Sequence, residues 1–413
     1  MLRSYLKLAW RVLWRRRFFT AISLFGISLT LVVLMVATAL LDHTFAPMAP
    51  EIRQDRTLVI FNGTLIGPNS MWRDGAGFRL LDRYARNLAN VERMAVVTFP
   101  EEVYSYPGGT RVQSSLRRAD AEYWRILDFD FLEGGPFADE DVRNGSRVAV
   151  INEATRDLFF GAPPAVGRWI DADGQRFRVV GVVANVSASR PVSAGDIFVP
   201  YTTAKTDAYR TRLLGSFMGV LLARQPGDLP GIRAEFASRV KTAPMPDKEF
   251  EHLYAPAETY FESVAGDTFG QREDDANHAE RLWIAIVGSA LLFLLLPTVN
   301  LVNLNVSRIM ERASEIGVRK AFGASTGTLV MQFIVENVLL TLLGGAIGLV
   351  LSVVALKAIS AAELIQHARL GINARVFLYG LGLSLVFGLL SGVYPAWRMA
   401  RLNPVVALKG AAR

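Results

Sequence analysis

Residues 18–41 run for 24 positions without a charged side chain. About 20 apolar residues suffice for a helix to cross the hydrocarbon core of a bilayer, so this run decides the solvent in which part of the chain must fold. Three further apolar runs follow towards the other end, at 282–306, 329–356 and 376–394. In lipid every backbone N–H and C=O has to be paired internally, which leaves helix as the form for each run. Between the first and second runs lie residues 42–281, of ordinary polar composition. The expected fold class is an α-helical membrane protein with four transmembrane helices and an extracytoplasmic α/β (α+β) domain inserted between helices 1 and 2. A cleaved signal peptide competes for the first run, because Ala37-Thr38-Ala39 resembles a cleavage site. The apolar stretch of a signal is only about 7–15 residues, so an uncleaved anchor is expected.

A net charge of +7 would suggest nucleic acid if it were spread evenly. It is not. Residues 1–41 carry six basic and no acidic side chains, residues 282–413 carry eleven and four, and residues 42–281 carry 28 basic against 34 acidic. The excess belongs to the membrane flanks, and no nucleic-acid partner is expected. Basic residues in short flanks mark the cytoplasmic side. The arm 1–17, the loop 307–328 (Arg308, Arg312, Arg319, Lys320) and the tail 395–413 (Arg398, Arg401, Lys409, Arg413) therefore share that side. Both termini are then cytoplasmic, with 42–281 and a short link, 357–375, outside. Leu6, Trp10, Leu13 and Trp14 give the basic arm an apolar face suited to membrane lipids.

The chain has no cysteine and only His43, His252, His278 and His367, scattered singly. Disulfides, thiolate metal sites and cysteine nucleophiles are excluded, and no metal-ligand spacing is present. No motif has the logic of an extracytoplasmic enzyme, and no catalytic residue is assigned. The clusters Asp139-Glu140-Asp141 and Glu273-Asp274-Asp275 read as solvated surface. Within the polar module, 57–61, 95–98, 147–151, 176–183 and 217–223 have strand character, while 153–160 and 229–240 read as helices. Asp173-Gly174 signals a tight hairpin turn and Pro107-Gly108-Gly109 another turn. The polar stretch 271–280 is expected to be a helical stalk.

Gly344, Gly348 and Ser352 recur every four residues, as do Gly380, Ser384, Gly388 and Gly392. Small residues on one helical face let backbones approach closely, either within the four-helix unit or at a dimer or sliding surface. Pro297 is expected to kink the second run, with Asn300, Asn303 and Asn305 pairing freed backbone or a neighbouring helix. Glu336 is the one acid inside a span: a functional candidate, or a side chain that snorkels to the cytoplasmic end. So few ionisable groups argue against a conducting pore.

Residues 307–325 form a charged helix candidate between two spans. Ile309, Ala313 and Ile316 share a face, and Glu315 precedes Arg319 by four residues, the favourable order for a helical ion pair. Such a helix could receive a push from a partner or rest on the headgroups. Here the residues resemble a family. Glu311-Arg312-x-x-Glu315-Ile316-Gly317-Val318-Arg319-Lys320-Ala321-Phe322-Gly323-Ala324-Ser325 resembles the signature after the second span of MacB/FtsX-type ABC transporter permeases. Gln332-Phe333, Glu336 and Gly344-Gly345 look like that family's third span, and Leu24-Phe25-Gly26-Ile27 is similar to its first. Tyr394-Pro395-Ala396-x-x-Ala400-x-x-x-Pro404-Val405-x-Ala407-Leu408 resembles its C-terminal end. Phe131-Leu132-Glu133-Gly134-Gly135, Val148-Ala149-Val150-Ile151-Asn152 and Phe177-Arg178-Val179-Val180-Gly181-Val182-Val183 look like the MacB-type periplasmic core domain.

The resemblance implies a dimer, with a second permease copy or paralogue, in the bacterial inner membrane. It implies that Glu311, Arg312, Glu315, Ile316, Gly317, Arg319 and Lys320 couple the chain to an ABC ATPase dimer, which binds ATP and Mg2+. ATP-driven motion would pass to the periplasmic domain, with a periplasmic adaptor or substrate-binding protein as a further partner. The expected activity is export or extraction of a peptide, macrolide-like compound or lipoprotein, by a subunit that is not itself an enzyme and binds no cofactor. No G-x-x-x-x-G-K-[ST] occurs, so ATP hydrolysis is expected from a separate protein. Two further departures are residues 294–297, where many relatives are Gly-rich, and the lack of a second four-span set. A regulatory, FtsX-like permease controlling a cell-wall hydrolase would be expected to carry a smaller outer module. An ATPase-independent sensor would leave the 311–325 block unexplained.

Overall fold

The computed structural model describes residues 2–161, 164–270, 278–311, 318, 322, 324–368 and 370–400, with backbone only at 2, 294, 296–311, 387–388 and 390–400. It divides into two compact units. One takes His43–Leu282 with Ile365–Arg369; the other takes Met1–Asp42, Trp283–Leu364 and Leu370–Arg413.

The first is an α/β unit. Its strands are β1 (Thr57–Ile60), β2 (Asn62–Ile66), β3 (Met71–Gly75), β4 (Val91–Thr98), β5 (Glu101–Ser105), β6 (Val112–Ala119), β7 (Phe131–Gly134), β8 (Val148–Asn152), β9 (Trp169–Ala172), β10 (Gln175–Val183), β11 (Ile197–Pro200), β12 (Phe217–Ala223) and β13 (His252–Tyr254). The main sheet runs β1-β12-β4-β6-β11-β8-β10-β7, with β5 beside β6 and β9 beside β10; β13-β2-β3 form a second, smaller sheet. The pairs β10–β8 and β11–β6 are parallel, and the rest of the main sheet is antiparallel. A parallel pair needs a crossover, and between β8 and β10 the Glu153–Phe160 helix supplies it.

Strand β12 shows why the sheet sits inside. All seven of its residues are buried. Side chains alternate across a strand, and here Phe217 and Leu221 enter one apolar cluster while Met218, Val220 and Leu222 enter another. The first cluster is closed by Ile232, Phe236 and Val240 of the Leu229–Val240 helix. The second is closed by Tyr123, Trp124 and Ile126 of the Glu122–Ile126 helix. Local signals fall where these elements begin and turn. Asn152 Oδ1 accepts the Thr155 N–H at 2.8 Å to start the Glu153–Phe160 helix. The Asp173-Gly174 turn joins β9 to β10 with φ of +52° and +67°, the geometry such pairs tolerate.

Glycine at two motif positions has a steric cause. Gly134 on β7 lies opposite Gly181 on β10. A Cβ at Gly134 would stand 2.1 Å from the Val180 carbonyl oxygen, and one at Gly181 would stand 2.3 Å from that of Gly135. Gly134 also has φ +63°, where L side chains are strained. The strands could not approach with larger residues at either place.

The second unit is helical. Arg17–Phe45 and Thr326–Ala361 are each long and apolar enough to cross a membrane, and Ala374–Val386 is a shorter apolar stretch, among the described residues. These two helices cover the first and third expected runs. The helices His278–Glu311 and Ala374–Ala400 fall on the second and fourth. The helix His278–Glu311 runs through Pro297 without interruption. The expected stalk, 271–280, lies outside the described residues except for its last three. The basic arm is helical over Leu2–Arg15. Its Ala9 and Leu13 are buried, whereas Leu6, Trp10 and Trp14 stay exposed, so the apolar face is split between protein and surroundings.

Gly134→Ala is expected to destabilise the α/β unit by about 2–4 kcal/mol, through backbone strain and the clash with Val180. Denaturant unfolding of the purified chain measures this, and a midpoint equal to the parent's would contradict the close-approach argument.

Candidate functional site

Of the residues expected to couple to an ATPase, Glu311 is the last residue of the His278–Glu311 helix. Arg312, Glu315, Ile316, Gly317, Arg319 and Lys320 lie outside the described residues. Within the same block Val318 and Phe322 are exposed, Phe322 to 89 %, and the Phe322 N–H donates to the Val318 carbonyl at 3.1 Å. Ser325 then caps the next helix, its Oγ accepting the Thr328 N–H at 3.2 Å. Asn300 and Asn303 lie on the His278–Glu311 helix, with side chains outside the described atoms.

The small-residue positions come together on the first apolar helix. A Cβ at Gly344 would sit 2.8 Å from Ile27 Cγ2, and one at Gly348 would sit 3.1 Å from Leu31 Cβ. On the last helix, a Cβ at Gly380 would meet Leu34 Cδ2 at 2.7 Å and Leu31 Cδ2 at 3.1 Å. Leu31 thus enters a hole whose walls are Gly348 and Gly380. Ser352 and Ser384 donate to the carbonyls of Gly348 and Gly380, at 2.7 and 2.9 Å, which keeps their hydroxyls satisfied in an apolar setting. Gly388 and Gly392 lie on the Ala374–Ala400 helix with surroundings that are not described. Glu336 is buried to 1 % exposure and accepts from Gln332 Nε2, one turn nearer the start of the same helix, at 2.9 Å, so its carboxylate is enclosed within the helical unit.

The α/β unit holds ionic groups that sequence reasoning missed. Arg117 is fully buried on β6: its Nε donates to Thr98 O at 3.0 Å and its Nη1 to Val192 O at 2.9 Å and Ala194 O at 2.8 Å. Arg190, also buried, donates to His43 O, Ala46 O and Glu51. Arg118 bridges Glu101 and Asp173, at 2.6 Å each. Asp120 accepts the Val96 and Tyr123 N–H groups at 3.1 Å each, yet burial outweighs these bonds and pushes its carboxyl up to about 7. Glu258 is likewise raised to about 7, first by burial and then by the Glu262 carboxylate. Glu262 is itself penalised by burial, but Arg233 gripping both of its oxygens, at 2.8 and 2.6 Å, brings it below the usual range. These two carboxylates, with Arg233, Phe236, Val240 and Leu253, line a cavity of about 410 Å³. Among the described residues no group of three or more His, Cys, Asp or Glu is placed to hold a metal ion.

Comparison with known proteins adds a second line of observation. The family described as MacB-like periplasmic core domain matches residues 20–238, and the FtsX-like permease C-terminal domain matches residues 287–404. The pyoverdine export ATP-binding/permease protein PvdT of Pseudomonas fluorescens is 27 % identical over 405 residues, covering 97 % of this chain and 58 % of the relative. The macrolide export ATP-binding/permease protein MacB of Wolinella succinogenes is 25 % identical over 417 residues, covering 98 % and 60 %. The chain therefore spans about three-fifths of the length of these curated relatives. The solved periplasmic region of MacB from Actinobacillus actinomycetemcomitans aligns at 14 % identity and a TM-score of 0.37, over 52 % of this chain and 94 % of that one.

Gly344→Leu is expected to force the Arg17–Phe45 and Thr326–Ala361 helices apart and destabilise the helical unit by about 1–3 kcal/mol. Thermal unfolding in detergent measures it, and an unchanged transition would place that face against lipid. A second expectation concerns pH. Asp120 and Glu258 keep their protons in the folded state up to about pH 7 but would lose them near 3.8 and 4.5 when unfolded. The unfolded state therefore binds fewer protons in that interval, and stability falls as pH rises from about 4 to 7. Lowered carboxylates such as Glu262 act in the opposite direction, so the check is the difference between chains: the melting temperature of Asp120→Asn with Glu258→Gln should gain on that of the unaltered chain from about pH 4 to 7, and a constant difference would contradict both assignments.

Proposed function

The chain belongs to the MacB-like and FtsX-like ABC transporter permease family, and from this premise we propose that it is the permease subunit of a mechanotransmission-type exporter. It couples ATP hydrolysis by a separate ABC ATPase dimer to motion of its extracytoplasmic α/β unit. The observation that carries this reading is the order of the two family matches. A periplasmic-core match at 20–238 precedes a permease match at 287–404; the apolar helix Arg17–Phe45 overlaps the first from residue 20 onward, and Thr326–Ala361 lies within the second.

The chain crosses the bacterial inner membrane four times, on the helices Arg17–Phe45, His278–Glu311, Thr326–Ala361 and Ala374–Ala400. Both termini and the 307–328 loop face the cytoplasm, a placement supported by the basic residues of those flanks. Glu311, Arg312, Glu315, Ile316, Gly317, Arg319 and Lys320 dock the ATPase, with the exposed Phe322 as an apolar contact beside them. ATP and Mg2+ act through that partner. The substrate is a peptide, macrolide-like compound or lipoprotein, an export role supported by relatives named for export of pyoverdine and of macrolides. A second permease copy or paralogue completes the transporter, and an adaptor or substrate-binding protein engages the periplasmic side.

Purification of the tagged chain from its native membrane in mild detergent, with mass spectrometry of the co-purifying proteins, tests the reading. A stoichiometric P-loop ATPase is expected, and Glu315→Ala or Arg319→Ala should reduce its recovery by about tenfold without affecting membrane insertion. Recovery of a cell-wall hydrolase activator instead of export partners would indicate a regulatory permease. The folded chain without any ATPase would overturn the proposal.

A further inference from the structure

Residues 184–196 connect β10 to β11 and look in sequence like a polar surface loop. Arg190 and Ser193 within it are nevertheless buried. Arg190 Nη2 donates to His43 O at 3.0 Å and to Ala46 O at 2.8 Å, and its Nη1 lies 3.4 Å from Glu51 Oε2. His43 belongs to the last turn of the Arg17–Phe45 helix. The final carbonyls of a helix have no intrahelical donor and carry the negative end of its dipole. Arg190 therefore caps this helix from a distant part of the sequence, on residues that all belong to the α/β unit. Glu51 balances the charge, and is itself held by Ser193 Oγ at 2.5 Å and Gln54 Nε2 at 2.8 Å.

The same turn makes a second such contact. The Ala188 N–H donates to Gln366 O at 3.1 Å. Gln366 lies in the Ile365–Arg369 segment, which the α/β unit includes and which joins the helices Thr326–Ala361 and Ala374–Ala400. The turn thus binds two segments from opposite ends of the chain, and each continues into an apolar helix. On its far side it is tied to the sheet. Arg117 holds Val192 O and Ala194 O, Tyr123 Oη donates to Val192 O at 3.0 Å, and Asp196 accepts from Ser115 and Asn152.

We propose that the 187–190 turn is the relay through which displacement of the apolar helices reaches the β-sheet, with Arg190 as its positioning residue. The relay deepens the permease reading and rests on it. A guanidinium suits this task because its planar fork holds two carbonyls and a carboxylate at fixed angles. An ammonium is a point charge that cannot span all three.

The test uses the whole chain with its co-purifying ATPase, reconstituted in vesicles. Since the chain lacks cysteine, Tyr106→Cys, at a position 65 % exposed, takes a single environment-sensitive dye. A membrane-impermeant reagent added to spheroplasts before purification leaves the ATPase unlabelled. ATP with Mg2+ should change the dye signal in the otherwise unaltered chain. Adding Arg190→Lys should lower the melting transition yet leave a cooperative one above the assay temperature and hold ATP hydrolysis within about twofold, while the dye response falls at least about fivefold; Glu51→Gln should lie between. A folded Arg190→Lys chain with a full response overturns the relay. If Arg190→Lys does not fold, a full response from Glu51→Gln overturns it instead. An absent response in the unaltered chain overturns the permease reading itself, and is recognised because no relay residue has been changed.

Discussion

A buried guanidinium whose hydrogen bonds, among the described residues, all go to neutral acceptors is costly to place, and much of the α/β unit is arranged around one. The hydrogen bonds of Arg117 go to the carbonyls of Thr98, Val192 and Ala194 and to the Met218 thioether. Removing the cation from water is tolerable only because each of its three nitrogens finds a fixed acceptor. Those acceptors belong to β4, β12 and the 184–196 loop, so one side chain sets where the loop lies on the sheet. Once the loop is placed, Arg190 faces the carbonyls of His43 and Ala46. The buried Glu51 supplies the countercharge, without which that second cation would be expensive.

The helical unit answers to a different constraint. In lipid there is little hydrophobic drive between helices, so association depends on close packing and on satisfied polar groups. Ile27, Leu31 and Leu34 occupy the space that Gly344, Gly348 and Gly380 leave open, and the hydroxyls of Ser28, Thr30 and Thr38 turn back to carbonyls of their own helix. The arrangement gives each described glycine of the small-residue stripe an occupant from the same chain.

Much of this was legible beforehand where a residue's neighbours in sequence decide its structure. The helices 153–160 and 229–240 have the bounds expected of them, and β12 those of 217–223, because caps, turns and alternating apolar runs are local signals. Strand β6 was not anticipated. Its Leu116-Arg117-Arg118-Ala119 looks like a solvated charge run, and the groups that bury it come from Thr98, Glu101, Asp173 and Val192. Arg190 escaped notice for the same reason. The burial of Glu336 depends on helices distant in sequence, so only packing shows that its carboxylate is enclosed, with Gln332 as its hydrogen-bond donor.

The order of the main sheet has a consequence for biogenesis. Strand β12 lies between β1 and β4, pairing Val59 with Val220 and Ala95 with that same residue. Until Phe217–Ala223 has been synthesised and moved across the membrane, β1 and β4 each lack the neighbour that completes them. Such non-local pairing slows folding and leaves strand edges open in the meantime. Passage of the unit must therefore be nearly complete before its core can close, and for that interval the emerging strands are open to pairing with one another wrongly.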